Sequence, residues 1–202
     1  MIKGKKRGQL VVLSGPSGVG KGTVIQYVRQ RRPELTFSIS YTTRKPREGE
    51  VDHVHYHYVS VETFRQMIEE GAFLEYTRYQ ENYYGTAKAD VEALREQGQD
   101  VLLDIEVEGG SNVRRLCPES TLIFLLPPSF EELEARLRGR KSESDEVIRG
   151  RLSRAREELQ EVPNYDFLLV NDHVEQTGEE MLAILKAQEC RVSARLDLLK
   201  EM

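Results

Sequence analysis

Gln9-Leu10-Val11-Val12-Leu13-Ser14-Gly15-Pro16-Ser17-Gly18-Val19-Gly20-Lys21-Gly22-Thr23 is the stretch on which the fold turns. Residues 10–13 are apolar and read as a short buried strand; Val24, Ile25 and Val28 begin a helical pattern. Between them, Gly15, Gly18 and Gly20 leave no Cβ in the way of backbone N–H groups that converge on an anion. The helix start near Gly20 adds unpaired N–H groups and the positive end of its dipole. Lys21 brings a full charge to phosphoryl oxygens. A turn with no ligand would explain the glycines, but not a lysine directly after Gly20 at a strand-to-helix junction. The hydroxyl of the strict pattern comes one residue late, on Thr23 instead of Gly22, which leaves a magnesium ion to be held through water and a carboxylate elsewhere.

Working outward, the 202 residues suit one α/β domain with inserted subdomains. The charge balance of -5 argues against a general nucleic-acid binder. No apolar run approaches the ~18 residues of a membrane span, and residues 10–13 are too short for a signal-peptide core. Cys117 and Cys190 lack a partner motif and read as structural thiols of a reducing cytosol.

Helix one is expected to end near Pro33, since proline restricts the residue before it. Residues 36–40 and 52–58 alternate like strands, separated by a polar, basic turn. Ser60 caps a short helix carrying Phe64, Met67 and Ile68, and residues 73–84 read as two more strands closing on Gly85 and Thr86. A helix follows from Ala87 to Gly98. Residues 101–105 and 122–126 are buried-type strands, with Pro127 stopping the second. Ser129 opens a helix through a capping box, residues 167–170 form a last strand, and Thr177 caps the final helix. Strands alternating with helices imply a parallel sheet with right-handed crossovers.

Other groups carry chemistry. Arg44 and Arg47, with Ser40 and Tyr56 nearby, read alone as a solvated turn; beside a phosphate loop they read as a second phosphate site, because guanidinium meets phosphate bidentately. Asp104 and Glu106 stand two apart at the end of a buried strand and so share a side of it. That edge of a parallel sheet is where ligands bind, and Asp104 reads as a magnesium ligand, directly or through water. Arg136, Arg138, Arg140 and Lys141 on one predicted helix, and Arg149, Arg151, Arg154 and Arg156 on the next, are either surface charge or a helical lid over a transferring phosphoryl group. His53, His55 and His57 share a strand face; i, i+2 spacing with no cysteine is weak evidence for a metal, and a half-exposed face explains it better.

Several motifs in one order resemble guanylate kinases from about residue 9 to residue 173. They are Gly15 to Thr23, Ser40-Tyr41-Thr42-Thr43-Arg44-Lys45-Pro46-Arg47, Gly49-Glu50, Asn82-Tyr83-Tyr84-Gly85-Thr86, Asp104-Ile105-Glu106 and Val170-Asn171-Asp172. The resemblance implies a three-layer α/β P-loop kinase fold with a parallel core sheet, a mixed-β GMP-binding insert over 38–86, a helical lid over 128–156, and the remainder as core. It implies transfer of a phosphoryl group from ATP to GMP, with Mg2+, in the cytoplasm. The substrates would be ATP and GMP, with dGMP tolerated, and neither nucleic acid nor membrane; the oligomeric state is left open.

By the same resemblance Gly15, Pro16, Ser17, Gly18, Val19, Gly20, Lys21, Gly22, Thr23 and Asn171 bind ATP. Ser40, Arg44, Arg47, Tyr56 and Tyr84 hold the GMP phosphate, with Gly85 in the same set, and Glu75, Thr86 and Glu106 read guanine. Lys21, Arg44, Arg136, Arg140 and Arg151 are the catalytic cations. The chain departs from the family at His53, where glycine is usual, at Glu108 for glutamine and at Lys141 for glycine. Two rivals remain: a guanylate-kinase-like interaction domain without chemistry, against which the intact phosphate loop speaks, and a kinase for another phosphate ester, against which the guanine-reading set speaks.

Overall fold

The computed structural model describes residues 7–79, 81–139, 144–196 and 199. In chain order the elements are β1 (Leu10–Ser14), α1 (Lys21–Arg31), β2 (Thr36–Phe37), β3 (Tyr41–Thr42), β4 (His57–Tyr58), α2 (Val61–Glu69), β5 (Phe73–Tyr79), β6 (Asn82–Ala87), α3 (Lys88–Glu96), β7 (Val101–Asp104), α4 (Val107–Leu116), β8 (Thr121–Leu126), α5 (Phe130–Gly139), α6 (Asp145–Glu158), β9 (Phe167–Val170) and α7 (Val174–Gln188), with 3-10 turns at Leu159–Asn164 and Val192–Ala194.

β1 is buried along its whole length because it is the middle strand of a five-stranded sheet ordered β2-β7-β1-β8-β9. Every pairing in that sheet is parallel. A strand covered on both faces needs apolar residues at consecutive positions, which is how residues 10–13 read. Val11 and Leu13 pack with Val24, Val28, Met181 and Leu185 of α1 and α7. Leu10 and Val12 face the other way, with Val91 and Val113 of α3 and α4. The two clusters make the three layers, helix, sheet and helix. Each fully buried Leu or Val contributes about 1.5–3 kcal/mol relative to exposure.

A second, mixed sheet is ordered β4-β3-β6-β5, and α2 seals it through Phe64, stacked on Phe73 and Tyr83 at ring separations of 4.5 and 5.3 Å. Ser60 caps α2, its Oγ accepting from Thr63 N at 3.0 Å. α5 and α6 pack on each other through Leu133, Leu137, Ile148, Leu152 and Ala155. Both start at polar caps, the first of them expected: Ser129 Oγ accepts from Glu132 N at 3.1 Å, and Ser144 Oγ faces Val147 N at 3.5 Å.

Four local readings change. The strand expected over 36–40 shortens to Thr36 and Phe37, which pair with β7 in the first sheet, and Tyr41 and Thr42, expected in the turn that follows, pair with β6 in the second. The strand expected over 52–58 reduces to His57 and Tyr58; the preceding residues form a turn with His53 at φ 62, so the three histidines do not share a strand face. α4 is a helix with no counterpart among the expected elements, since Gly109 and Gly110 obscure its period. α7 begins at Val174, and Thr177 lies inside it, its hydroxyl donating to Val170 O and His173 O at 3.1 and 3.0 Å. No helix among the described residues is long and apolar enough to cross a membrane.

Candidate active site

The loop after β1 turns into α1 through Gly20, whose φ of 100 places the N-cap in the left-handed region. A Cβ there would also lie 2.3 Å from Asn171 Nδ2, so both the turn and the close approach need glycine. Asn171 Nδ2 donates to Val19 O at 2.8 Å, tying the end of β9 to the loop. Asn171 Oδ1 is a buried acceptor without a hydrogen bond among the described residues. Arg136, from α5, donates to Val19 O at 3.2 Å and Asn171 O at 3.0 Å, so a guanidinium braces the loop from behind. Lys21 Nζ folds back on Gly15 O at 2.9 Å and stands 3.9 Å from Asp104 Oδ1. The Thr23 hydroxyl donates to Gly20 O at 2.7 Å, within the first turn of α1.

The carboxyl ends of β1 and β7 open on a cavity of about 470 Å³. Gly15, Ser17 and Lys21 line one side of it; Glu75, Thr77, Tyr84 and Gly85 of the second sheet, with Ser40 and Tyr56 just before β3 and β4, line another. Asp104, Ile105 and Glu106 contribute from the β7 edge, and Arg151, Arg154 and Glu158 from α6. The two carboxylates thus share the cavity, but not a strand: β7 ends at Asp104, and Glu106 is the N-cap of α4.

Glu75 is 7% exposed and receives the Thr86 hydroxyl at 2.6 Å. Burial raises its carboxyl above the ordinary range, the Thr86 bond works against that, and the nearby Glu106 charge adds to it. The protein packed around Asp104 raises its carboxyl, with Lys21 opposing and Glu106 adding. Gly109 lets α4 pass close to this wall, since a Cβ there would meet Glu75 Oε2 at 3.0 Å.

Arg44 forms a bidentate pair with Glu50, 2.7 and 2.9 Å, and lies 5.2 Å above the Tyr56 ring centroid. Glu50 also accepts from Arg47 N at 2.7 Å and Tyr58 OH at 2.9 Å. The Arg44 hydrogen bond leads, and with the other donors it lowers the Glu50 carboxyl to about 2. Glu50 therefore holds the guanidinium and the 44–50 turn in one geometry while Arg44 stays charged. Neither Arg44, Arg47 nor Thr86 lines the cavity itself; Thr86 acts on it through Glu75.

From α6, Arg151 Nη2 donates to Ser17 Oγ at 2.9 Å. Arg154 pairs with Glu106 and with Glu158, the latter at 3.1 Å. Burial raises the Glu158 carboxyl, with Arg154 opposing. In the sequence Arg154 is one charge among many, and Glu158 carries no motif of its own. Their signal was the spacing: Arg151, Arg154 and Glu158 fall at i, i+3 and i+7 on one helix face. Arg140 and Lys141 lie outside the described residues. Glu108 is exposed in the first turn of α4.

A phosphate loop, a buried carboxylate–hydroxyl pair and a helical arm of arginines thus face one cavity, which suits transfer of an anionic group between two nucleotides. Comparison with known proteins points the same way. The family model described as guanylate kinase matches residues 7–188. The chain is 48% identical over 189 residues to the guanylate kinase of Syntrophotalea carbinolica, covering 94% of this chain and 90% of that one. It is 50% identical over 179 residues to the guanylate kinase of Synechococcus sp. strain JA-3-3Ab, covering 89% and 82%. Among solved structures, the guanylate kinase from Anaplasma phagocytophilum superposes with a TM-score of 0.74 at 27% identity, covering 94% of this chain and 90% of that one.

Proposed function

Because the chain belongs to the guanylate kinase family, and so transfers a phosphoryl group from ATP to GMP, we propose that the cavity between its two sheets holds both nucleotides and that the residues on its walls divide the work. The observation that carries this reading is the shared lining: Gly15, Ser17 and Lys21 on one wall, Ser40, Tyr56, Glu75, Tyr84 and Gly85 on another.

Guanine offers N1–H and its exocyclic amine as adjacent donors, with O6 as an acceptor beside them. Glu75, an acceptor on both oxygens when ionised, takes the donors; Thr86 turns its hydroxyl to O6, and Glu106 takes the amine edge once Arg154 releases it. Ser40, Tyr56 and Tyr84 bind the GMP phosphate, with Gly85 leaving room beside them, and Arg44 and Arg47 supply its countercharge. Residues 15–23 wrap the ATP phosphates. Asn171, whose Oδ1 is a buried acceptor without a partner among the described residues, receives the adenine amine.

A GMP phosphate oxygen attacks the γ-phosphorus in line. The new P–O bond forms as the bond to the β-phosphate oxygen breaks, and ADP departs with that electron pair. No bond to the protein forms. Lys21, Arg136, Arg140 and Arg151 stabilise the equatorial oxygens, and catalysis is positioning plus electrostatics. The Asp104 carboxylate, 3.9 Å from Lys21, with the Ser17 hydroxyl on the same cavity, fits a hard cation that keeps its waters. Asp104 would hold Mg2+, which would supply neutralisation of charge on the ATP phosphates. The second sheet with α2 is the GMP unit, and α5 with α6 the lid. The reaction belongs in the cytoplasm, and dGMP serves because none of the named contacts uses the ribose 2′-hydroxyl.

A coupled assay of ADP formation with GMP, dGMP, AMP, CMP and UMP tests the reading. Turnover should appear with GMP and dGMP; equal turnover with a pyrimidine nucleotide would overturn the assignment of the cavity walls.

A further inference from the structure

Outside the nucleotide cavity, the turn that replaces the expected strand over 52–58 gathers three metal-binding side chains. One ligand atom from each of Asp52, His53 and His57 lies within 4.8 Å of the others. The spacing in the chain gave weak evidence for this; the turn itself creates it. His53 sits at φ 62, the one described non-glycine residue with positive φ. A side chain held in that region is strained and persists where surrounding contacts enforce it. Here its N–H donates to Tyr56 O at 2.8 Å and to Asp52 Oδ1 at 2.9 Å. The strained backbone swings the His53 ring back over His57, with Nδ1 to Nδ1 at 2.7 Å.

Two imidazole nitrogens face to face present lone pairs to one point unless one of them carries the proton. Two ligands of a tetrahedral zinc-class ion stand about 3.3 Å apart for metal–nitrogen bonds of about 2.05 Å, so a shift of about half an ångström admits the ion. Asp52 brings a carboxylate oxygen within 4.8 Å of a ligand nitrogen of each imidazole. Its Oδ1 accepts from the backbone N–H groups of His53 and Tyr58, at 2.9 and 3.1 Å, and its Oδ2 remains 3.4 Å from His53 Nε2.

An independent observation concerns the other ring nitrogen of His57. Its Nε2 lies 4.0 Å from Asp90 Oδ2 on α3, and that oxygen is a buried acceptor without a hydrogen bond among the described residues. A proton on Nε2 directed at Asp90 leaves Nδ1 free to ligate, which is the carboxylate–histidine arrangement that orients metal-bound imidazoles. His57 is 19% exposed and His53 73%, so the inner ligand is fixed and the outer face stays open to water.

We propose that Asp52, His53 and His57 form a binding site for one divalent transition ion of the zinc class, separate from the magnesium of the reaction. Two imidazoles and a carboxylate select Zn2+, Cu2+ or Ni2+ over Mg2+, which prefers an all-oxygen shell. Water completes the coordination. The ion clamps a turn whose next residue inward, Tyr56, lines the nucleotide cavity.

The test is a calorimetric titration of the tag-free, chelator-treated full chain with Zn2+, in millimolar Mg2+, with Co2+ absorbance as a second probe. Wild type should bind one ion per chain. His53→Gly suits the positive φ and keeps the fold, which circular dichroism verifies; it should weaken binding at least ~10-fold, and Asp90→Asn should do so by ~10–100-fold. His55→Ala should bind as wild type, because the His55 ring accepts from Val51 N at 3.0 Å and stands outside the cluster. No saturable binding to wild type, wild-type affinity in His53→Gly, or an equal loss in His55→Ala would overturn the site.

Discussion

At the scale of one residue, Glu75, which we propose reads guanine, carries the cost of a buried carboxylate. Burial raises its carboxyl, so ionisation at neutral pH works against the folded state. A raised acid contributes stability that is present below its unfolded value and lost as pH rises through the folded one. Glu75→Gln removes that loss and keeps an oxygen for the Thr86 hydroxyl. The nucleotide-free variant should therefore melt above wild type near pH 8, with the gap closing below about pH 4, where both side chains are neutral. A lower melting temperature at pH 8, or a gap that ignores pH, would contradict it. Lys21 is the opposite case, a cation spent wholly on ligand. Held between Gly15 O and Asp104, it supports little of the fold, so Lys21→Met should stay folded while kcat falls by at least ~100-fold, the loss of about 3 kcal/mol of preorganised stabilisation. Near-normal turnover in the folded variant would remove the phosphate loop from the chemistry.

At the scale of elements, α5 and α6 form a unit with its own small core, and its arginines already touch the phosphate loop: Arg136 at Val19 O, and Arg151 at Ser17 Oγ. Arg154, however, is engaged with Glu106 and Glu158. Exchange of such contacts for nucleotide phosphates predicts a change in protection over 130–158 when both sites fill, since closure excludes water from the transfer. Hydrogen exchange with and without a two-nucleotide analogue reads this directly: protection should rise across α6, and identical protection would rule out a closing lid. The same scale shows what sequence could and could not deliver. Ser60 and Ser129 announced their helices because a cap is a local hydrogen bond between near neighbours. α4 was hidden, because Gly109 and Gly110 serve packing against Glu75 and Tyr165, contacts distant in sequence. The turn at His53 was hidden too, since alternation of polar and apolar residues does not report a single positive φ.

At the scale of the molecule, the parallel sheet was legible because its middle strands are apolar without interruption: 10–13, 101–103 and 122–125 are all buried. Where the chain leaves that sheet was not, because Thr36–Phe37 and Tyr41–Thr42 look alike and differ only in which strand they join. Of the candidate site, the phosphate loop, Asp104 and Glu106 carried enough local chemistry to be read directly. Glu75 and Thr86 entered through resemblance alone, since only the β5–β6 pairing sets them opposite each other. That pairing is also where we propose that base specificity rests. Adenine has no N1 proton at neutral pH and puts an amine where O6 would sit, so AMP would leave the Glu75 carboxylate desolvated and unpaired. IMP keeps N1–H and O6 but lacks the amine, and should fall between them. The decisive measurement is kcat/KM for GMP, IMP and AMP on wild type and on Glu75→Ala. GMP should lead IMP and IMP should lead AMP, with ~10⁴-fold between the extremes in wild type, and the gap should shrink in Glu75→Ala mainly through weaker use of GMP. Equal use of AMP and GMP by wild type, or an unchanged GMP-to-AMP ratio in Glu75→Ala, would contradict it.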